Sequence, residues 1–256
     1  MHDIILFLVG ILVGAMNAIA GGGMLLGFPV LLAIGIPAIS ANATTGLIVL
    51  PGNLAASVSY RKYLKKVPRG YLLLLFPSIA GAIVGAIALR HTSAKSFQQI
   101  VPGLVLFAVV LFAFQPFLFK YIQEHIHGPK KIRQSIKPIY LVALAVFPIA
   151  LYAAYFGAGF GFIMLAFLGF TGLHDHLHRM NALKNIIGIV ISFVALACLA
   201  NSHLIDWRHG LVMAAGGLVG GYSGSTFIQK VPSKALRIVI VAIGIVTAAY
   251  LVFRNY

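Results

Sequence analysis

The 256 residues are 61% apolar and only 9% charged, with a mean hydropathy of +1.00, far from the roughly half-apolar, quarter-charged make-up of a soluble domain, so the chain reads as a polytopic membrane protein. Nineteen Lys and Arg against four acids give a net charge of +15, but they lie in short stretches between apolar runs, the distribution that membrane orientation produces and not a water-exposed face for nucleic acid. The single Cys198 sits inside an apolar run, which excludes a disulfide framework and a thiolate metal cluster.

The first apolar run, 4–20, follows Met1-His2-Asp3, which supplies no cationic n-region, and it leads through Gly21-Gly22-Gly23 into more apolar sequence. It is therefore read as part of the mature protein. Nine further runs follow at 24–39, 43–60, 71–89, 100–119, 139–156, 160–173, 182–200, 211–228 and 235–253. Most have 17 to 20 residues, which at about 1.5 Å per residue crosses the roughly 30 Å of bilayer hydrocarbon. The second run carries Pro29 and Pro37, and the seventh has only 14 residues. Each is joined to its predecessor by a glycine link, Gly21 to Gly23 and Gly157-Ala158-Gly159. Both pairs are expected to form re-entrant hairpins or discontinuous helices.

The longest polar stretch, 120–138, divides the runs into five and five. An offset of 139 superimposes Asn42-Ala43 on Asn181-Ala182, Arg69 on Arg208, Gly81 on Gly220 and Gly85 on Gly224, while the glycine links align at an offset of 136. The shared order of glycine link, Asn-Ala, basic turn and small-xxx-small helix predicts an internal repeat, with 1–119 and 139–256 as its copies and 120–138 as a basic linker. Five is odd, so the copies are expected in inverted orientation. If the turn at 61–69 is cytoplasmic, fifteen Lys and Arg fall inside and four outside, which predicts a plasma or inner membrane protein with both termini outside.

The four acids, Asp3, Glu124, Asp175 and Asp206, all lie in termini or turns. That leaves no carboxylate dyad and no proton-relay acid within a span, and no Ser or His stands in a triad-like spacing, so catalysis is not expected. The polar groups that remain are amides, hydroxyls and one lysine. Asn42, Thr44 and Thr45, and Asn181, Lys184 and Asn185, stand at the expected openings of two helices in equivalent places of the two copies. They read either as helix caps or as a shared polar site, and a capped helix start also attracts an anion. Gly21, Gly22, Gly23, Gly157 and Gly159 either present backbone N–H groups to an anion or permit tight packing. Asn17 and Tyr155 precede the two links, where they would line a midplane cavity. Lys184 would neutralise an anion or snorkel to the surface, and the glycine pairs 81/85, 217/221 and 220/224 are expected to pack helices. His174-Asp175-His176-Leu177-His178 reads as a solvated turn, so neither a metal nor a cofactor is expected.

The glycine link, the short Gly27-Phe28-Pro29 segment, the Asn/Thr-rich helix start, the basic turn ending in Pro68-Arg69 and the Gly-xxx-Gly fourth helix recur as Tyr155-Phe156-Gly157-Ala158-Gly159, Asn181 to Asn185 and Asp206-Trp207-Arg208. In this order the chain resembles the sulfite exporter TauE/SafE family. The resemblance implies an inner-membrane transporter of sulfite, sulfoacetate-like sulfonates or related small organic anions, with the lipid bilayer and the anion as its partners and a homo-oligomer as an option. A departure is the second link, Gly-Ala-Gly-Phe in place of consecutive glycines, and Lys184 makes the second copy more basic than the first. The alternatives are a channel-like pore for a small solute and, from another class, an intramembrane enzyme.

Overall fold

A computed structural model of the chain describes residues 2–19, 21–126, 139–169, 177–226 and 233–255. They form eleven α-helices and a 3-10 turn, with no strand among the described residues. In chain order these are α1 (His2–Ile19), α2 (Met24–Ala33), α3 (Ala38–Ser59), the short α4 (Arg61–Leu64), the 3-10 turn Arg69–Leu74, α5 (Leu75–His91), α6 (Ala94–Ile126), α7 (Ile139–Tyr155), α8 (Phe160–Gly169), α9 (Leu177–Leu199), α10 (Trp207–Thr226) and α11 (Ser233–Asn255).

Among the described residues, three helical stretches, Arg69–His91, Ala94–Phe114 and His178–Leu199, are both long and apolar enough to cross a membrane. Helix α3 has the length, 22 residues, but its mean apolarity is lowered by Asn42, Thr44, Thr45 and Asn53, all of them buried inside the protein. The lipid-facing surface is supplied instead by large exposed apolar side chains such as Phe76, Phe114, Leu144, Phe193 and Phe253. Inside-out polarity of this kind is what a path through a bilayer requires.

Two expected boundaries move. The second run is not one helix over 24–39: α2 stops at Ala33, and Pro37, with ψ 144°, stands as the residue before α3. Proline cannot supply a ladder N–H, so it ends one element and opens the next. Consequently α3 begins at Ala38, five residues ahead of the expected start, and α9 is already helical at Leu177, the first described residue of that segment. Asn42 and Asn181 therefore lie a turn inside their helices, and the reading of Asn42 as a helix cap is corrected. Helix α6 runs to Ile126, into the expected linker, while 127–138, His174 to His176 and residues 230–232 of the turn at 230–237 lie outside the described residues.

The half-length α2 and α8, ten residues each, reach only about 15 Å. Both follow a reversal with the same backbone. Gly21 and Gly157 have φ of +74° and +77°, and their N–H groups bond Met16 O at 3.2 Å and Tyr152 O at 3.1 Å, five residues back. This left-handed helix termination is natural only to glycine.

Packing couples the two sets of helices instead of keeping them apart. Helix α1 packs on α10 and α7 on α5; α10 packs on α3 and α5 on α9; α3 meets α9, and α6 meets α11. Exchanging the first five spans for the last five leaves this pattern unchanged. The α1–α10 seam is made by glycine: a Cβ on Gly220 would overlap the Ile11 carbonyl, one on Gly14 the Gly217 carbonyl, and one on Gly216 the Phe7 carbonyl. Gly81 and Gly85 bring α5 equally close to Phe147 and Leu151 of α7. These are the small-residue contacts that hold helices together in lipid.

Asp206 starts α10. Its Oδ1 accepts from the His209 N–H at 3.1 Å, its Oδ2 lies 2.9 Å from His209 Nδ1, and its own N–H donates to Thr44 Oγ1 at 2.9 Å. Partial burial pushes the Asp206 carboxyl up, but the side-chain and backbone bonds from His209 outweigh it and hold it below the usual carboxylate value. A depressed pKa means that this contribution is present above the unfolded-state pKa and is lost as pH falls through the folded one, so the cap is complete at neutral pH and fails only in acid. Asp206→Ala should remove about 1 kcal/mol, a fall of about 2–4 °C in melting temperature at neutral pH, and the difference from the parent should vanish in acid. Thermal unfolding in detergent at several pH values measures both.

Candidate functional site

Helices α3, α7 and α9 enclose a cavity of about 60 Å³, room for a few waters or one small solute. Its walls are apolar and its polar groups are Asn17, Asn42, Thr45, Asn53 and Ser192. The face of α9 that lines it is Gly188, Ile191, Ser192, Ala195, Leu196 and Leu199, a run at helical spacing on the C-terminal half of that helix.

At the inner limit of the cavity the Asn17 Nδ2 donates to Asn53 Oδ1 at 2.7 Å. Asn42 Nδ2 donates to the Tyr155 carbonyl at 2.8 Å, and the Thr45 hydroxyl donates to the Asn42 carbonyl at 2.6 Å. Asn42 Oδ1 is buried without a partner. The Asn53 Nδ2 and the Ser192 hydroxyl have no hydrogen bond to another described residue, so the cavity offers neutral N–H and O–H donors to a solute. No charged side chain among the described residues lines it.

The charge lies behind the floor. Lys184 is 1% exposed, and its Nζ donates to the carbonyls of Asn17 at 2.9 Å and Ala18 at 3.4 Å. It thus caps the C-terminal end of α1, where the helix dipole is negative. Among the described residues no carboxylate pairs with it. A buried lysine amine satisfied only by backbone dipoles is, whenever it carries its proton, an unbalanced positive charge. At the corresponding end of α7, Asn42 takes this capping role with a neutral amide. Asn17 is therefore held from both sides, by α3 through its side chain and by α9 through its carbonyl.

Of the residues expected at the site, Asn17, Asn42, Thr45 and Gly157 line the cavity. Gly21 packs backbone to backbone on Gly161, Gly22 faces the Phe112 ring and Gly23 the Val13 carbonyl, while Gly159 lies near Ala108. Thr44 ties α3 to Asp206 and to the Ser40 carbonyl. Tyr155 turns its hydroxyl to Thr92 at 3.3 Å and its ring to Phe97, so only its carbonyl reaches toward Asn42. Asn181 and Asn185 are buried one helical turn and less from Lys184, outside the cavity. Asn53, Ser192 and Gly188 were not selected from the sequence. Asn53 and Ser192 stand at an offset of 139 from each other, and that match was the available signal. His178 stacks on Tyr63 with ring centroids 4.7 Å apart, and no group of three His, Cys, Asp or Glu forms a metal set among the described residues.

Residues 6–251 match the profile of a family described as Sulfite exporter TauE/SafE. The chain is 26% identical to "Probable membrane transporter protein YfcA" of Escherichia coli strain K12, over 98% of this chain and 90% of that protein. It is 27% identical to a "Probable membrane transporter protein" of Haemophilus influenzae over 97% and 94% of the two chains. It is 25% identical to "Probable membrane transporter protein ORF9" of a Sinorhizobium species over 95% and 89%. No solved structure matches the chain.

Proposed function

We propose, from the premise that the chain belongs to the sulfite exporter TauE/SafE family of membrane transporters, that it carries a small anion such as sulfite or a sulfonate out of the cell by alternating access. The observation that carries this reading is Lys184, a fully buried ammonium with no carboxylate partner among the described residues. A permanent acid there would neutralise the protein; a mobile anion completes it only while bound. Asn53 Nδ2 and the Ser192 hydroxyl, with the second amide protons of Asn17 and Asn42 beside them, supply directional bonds that a sulfite or sulfonate oxygen accepts, while the Thr45 proton stays on the Asn42 carbonyl. The two five-span sets, 1–119 and 139–256, are read as inverted copies on either side of the linker 120–138, which the exchange-invariant packing and the lopsided basic charge support.

Export follows from the electrical gradient. With the cytoplasm negative, each negative charge leaving is favoured by about 2.3 kcal/mol per 100 mV, roughly a fifty-fold ratio. The described interior holds no acid for proton coupling, and an exporter needs none.

The test is counterflow of radiolabelled sulfite in proteoliposomes. Preloading with unlabelled sulfite should accelerate entry of label, since a carrier exchanges and a pore does not. Absence of stimulation with normal leak overturns alternating access; absence of any flux of sulfite, sulfoacetate or sulfolactate overturns the substrate class. Asn53→Ala should reduce exchange about ten-fold or more, because it removes one donor and leaves Asn17 Nδ2 unpaired, an expected loss of about 1–3 kcal/mol.

A further inference from the structure

We infer that α9 carries a second anion station on its N-terminal half, made by Asn181, Lys184 and Asn185, separated from the cavity by the Asn17–Asn53 pair closing against Gly188. This deepens the anion-carrier reading and rests on it.

Three observations lead there. First, Asn185 is 0% exposed, and neither its Nδ2 nor its Oδ1 has a partner; Asn181 Oδ1 is buried and unpartnered as well. A buried amide with both ends unsatisfied costs several kcal/mol unless something else supplies the bonds. Second, residues 181, 184, 185, 188 and 192 follow helical spacing and share one face of α9. Its C-terminal part lines the cavity, so the two unsatisfied asparagines and Lys184 lie on the same stripe as the solute site. Third, the stripe is interrupted at one point. A Cβ on Gly188 would stand 2.7 Å from Asn53 Nδ2, and Asn53 is locked to Asn17. The Asn17–Asn53 bond thus forms a thin septum with donors and acceptors on both sides.

The chemistry of the trio selects the ligand. On this stripe the Lys184 amine and Asn185 Nδ2 are donors and the unpartnered Asn181 and Asn185 Oδ1 are acceptors, without a carboxylate among the described residues, a set suited to an anion that carries a proton of its own, such as hydrogensulfite. The Lys184 Nζ already holds two α1 carbonyls, and an anion arriving beside it would compete for that ammonium. Arrival at the second station therefore loosens the end of α1 that anchors the septum, which couples occupancy to opening.

Cysteine labelling of the full chain in proteoliposomes tests this without relying on transported substrate. In a Cys198→Ser background, Asn185→Cys and, separately, Asn181→Cys are treated with two membrane-impermeant methanethiosulfonates, the anionic ethylsulfonate and the cationic ethyltrimethylammonium. The ethylsulfonate should react about ten-fold faster than the cation at both positions. Adding Lys184→Gln should bring the ratio to about one, and adding Asn53→Ala should speed labelling. Two folded variants unreactive toward both reagents, or preferring the cation, overturn the station. If labelling behaves as expected while no sulfite or sulfonate flux is measured, the station stands and the substrate reading falls. If flux is normal and labelling fails, the station falls alone.

Discussion

Gly21→Ala is expected to be the most destabilising single-methyl change in the protein, lowering the melting temperature in detergent by about 10 °C or more or preventing accumulation in the membrane. Two costs coincide. At φ +74° an L side chain is strained by about 1–2 kcal/mol. The new Cβ would also overlap the Gly161 backbone, where the first link crosses the start of α8. Overpacking against backbone costs about 1–3 kcal/mol, because no side chain can rotate away. Together these approach half of the stability of an ordinary domain. Gly161→Ala meets the same crossing from the other side and also presses on the Lys184 stem at 3.2 Å, so it should destabilise with normal backbone strain. Gly103 is the control: nothing lies within 4 Å of its Cβ position, and Gly103→Ala in the middle of α6 should be neutral or stabilising by up to about 1 kcal/mol. Equal melting temperatures for Gly21→Ala and Gly103→Ala would refute the crossing as a point of contact.

Lys184→Met is expected to separate stability from activity. Methionine matches the stem, so the packing against Gly161 survives, and the buried charge disappears. The Asn17 carbonyl keeps its bond from the Gly21 N–H at 3.2 Å, leaving the Ala18 carbonyl as the main loss, about 1–3 kcal/mol, against the relief of desolvating an ammonium. The two nearly cancel, and thermal stability should change little or rise. Sulfite exchange should fall about 10- to 100-fold, the value of one charge-assisted bond. Retained exchange in Lys184→Met would remove Lys184 from the transport cycle, whereas a collapsed fold would make its role that of a helix cap.

The parts of this molecule that are local were legible in the sequence, and the parts made across long separations were not. Gly21 and Gly157 announce their reversals because only glycine terminates a helix with positive φ, and the signal sits within a few residues. The buried polar face of α3 is visible as Asn and Thr in an apolar run. Pro37 marks the true start of α3, but the apolar Ala38 and Ile39 beyond it blend with the preceding run, which is why the sequence places the start five residues late and leaves a cap open for Asn42 beside a polar site. Asn53 and Ser192 look like isolated polar residues in mid-helix; their value appears only when α3 and α9 meet. The partners of Lys184 are backbone carbonyls 167 and 166 residues away, and carbonyls carry no sequence signal. Nor does hydropathy tell that α1 seats itself on α10 and α7 on α5, since small residues announce closeness without naming the neighbour.

The glycine seams have a mechanical corollary. Where Gly14 meets Gly217 and Gly221 meets Gly52, main chains touch with no side chains between them to slide over one another. Helices α1, α3 and α10 are joined into one lever, and α5 and α7 are joined in the same manner, with α9 packed between α3 and α5. In the alternating-access reading, motion would then fall to the neighbours of α9, between two groups of helices that each include one from the opposite half of the chain.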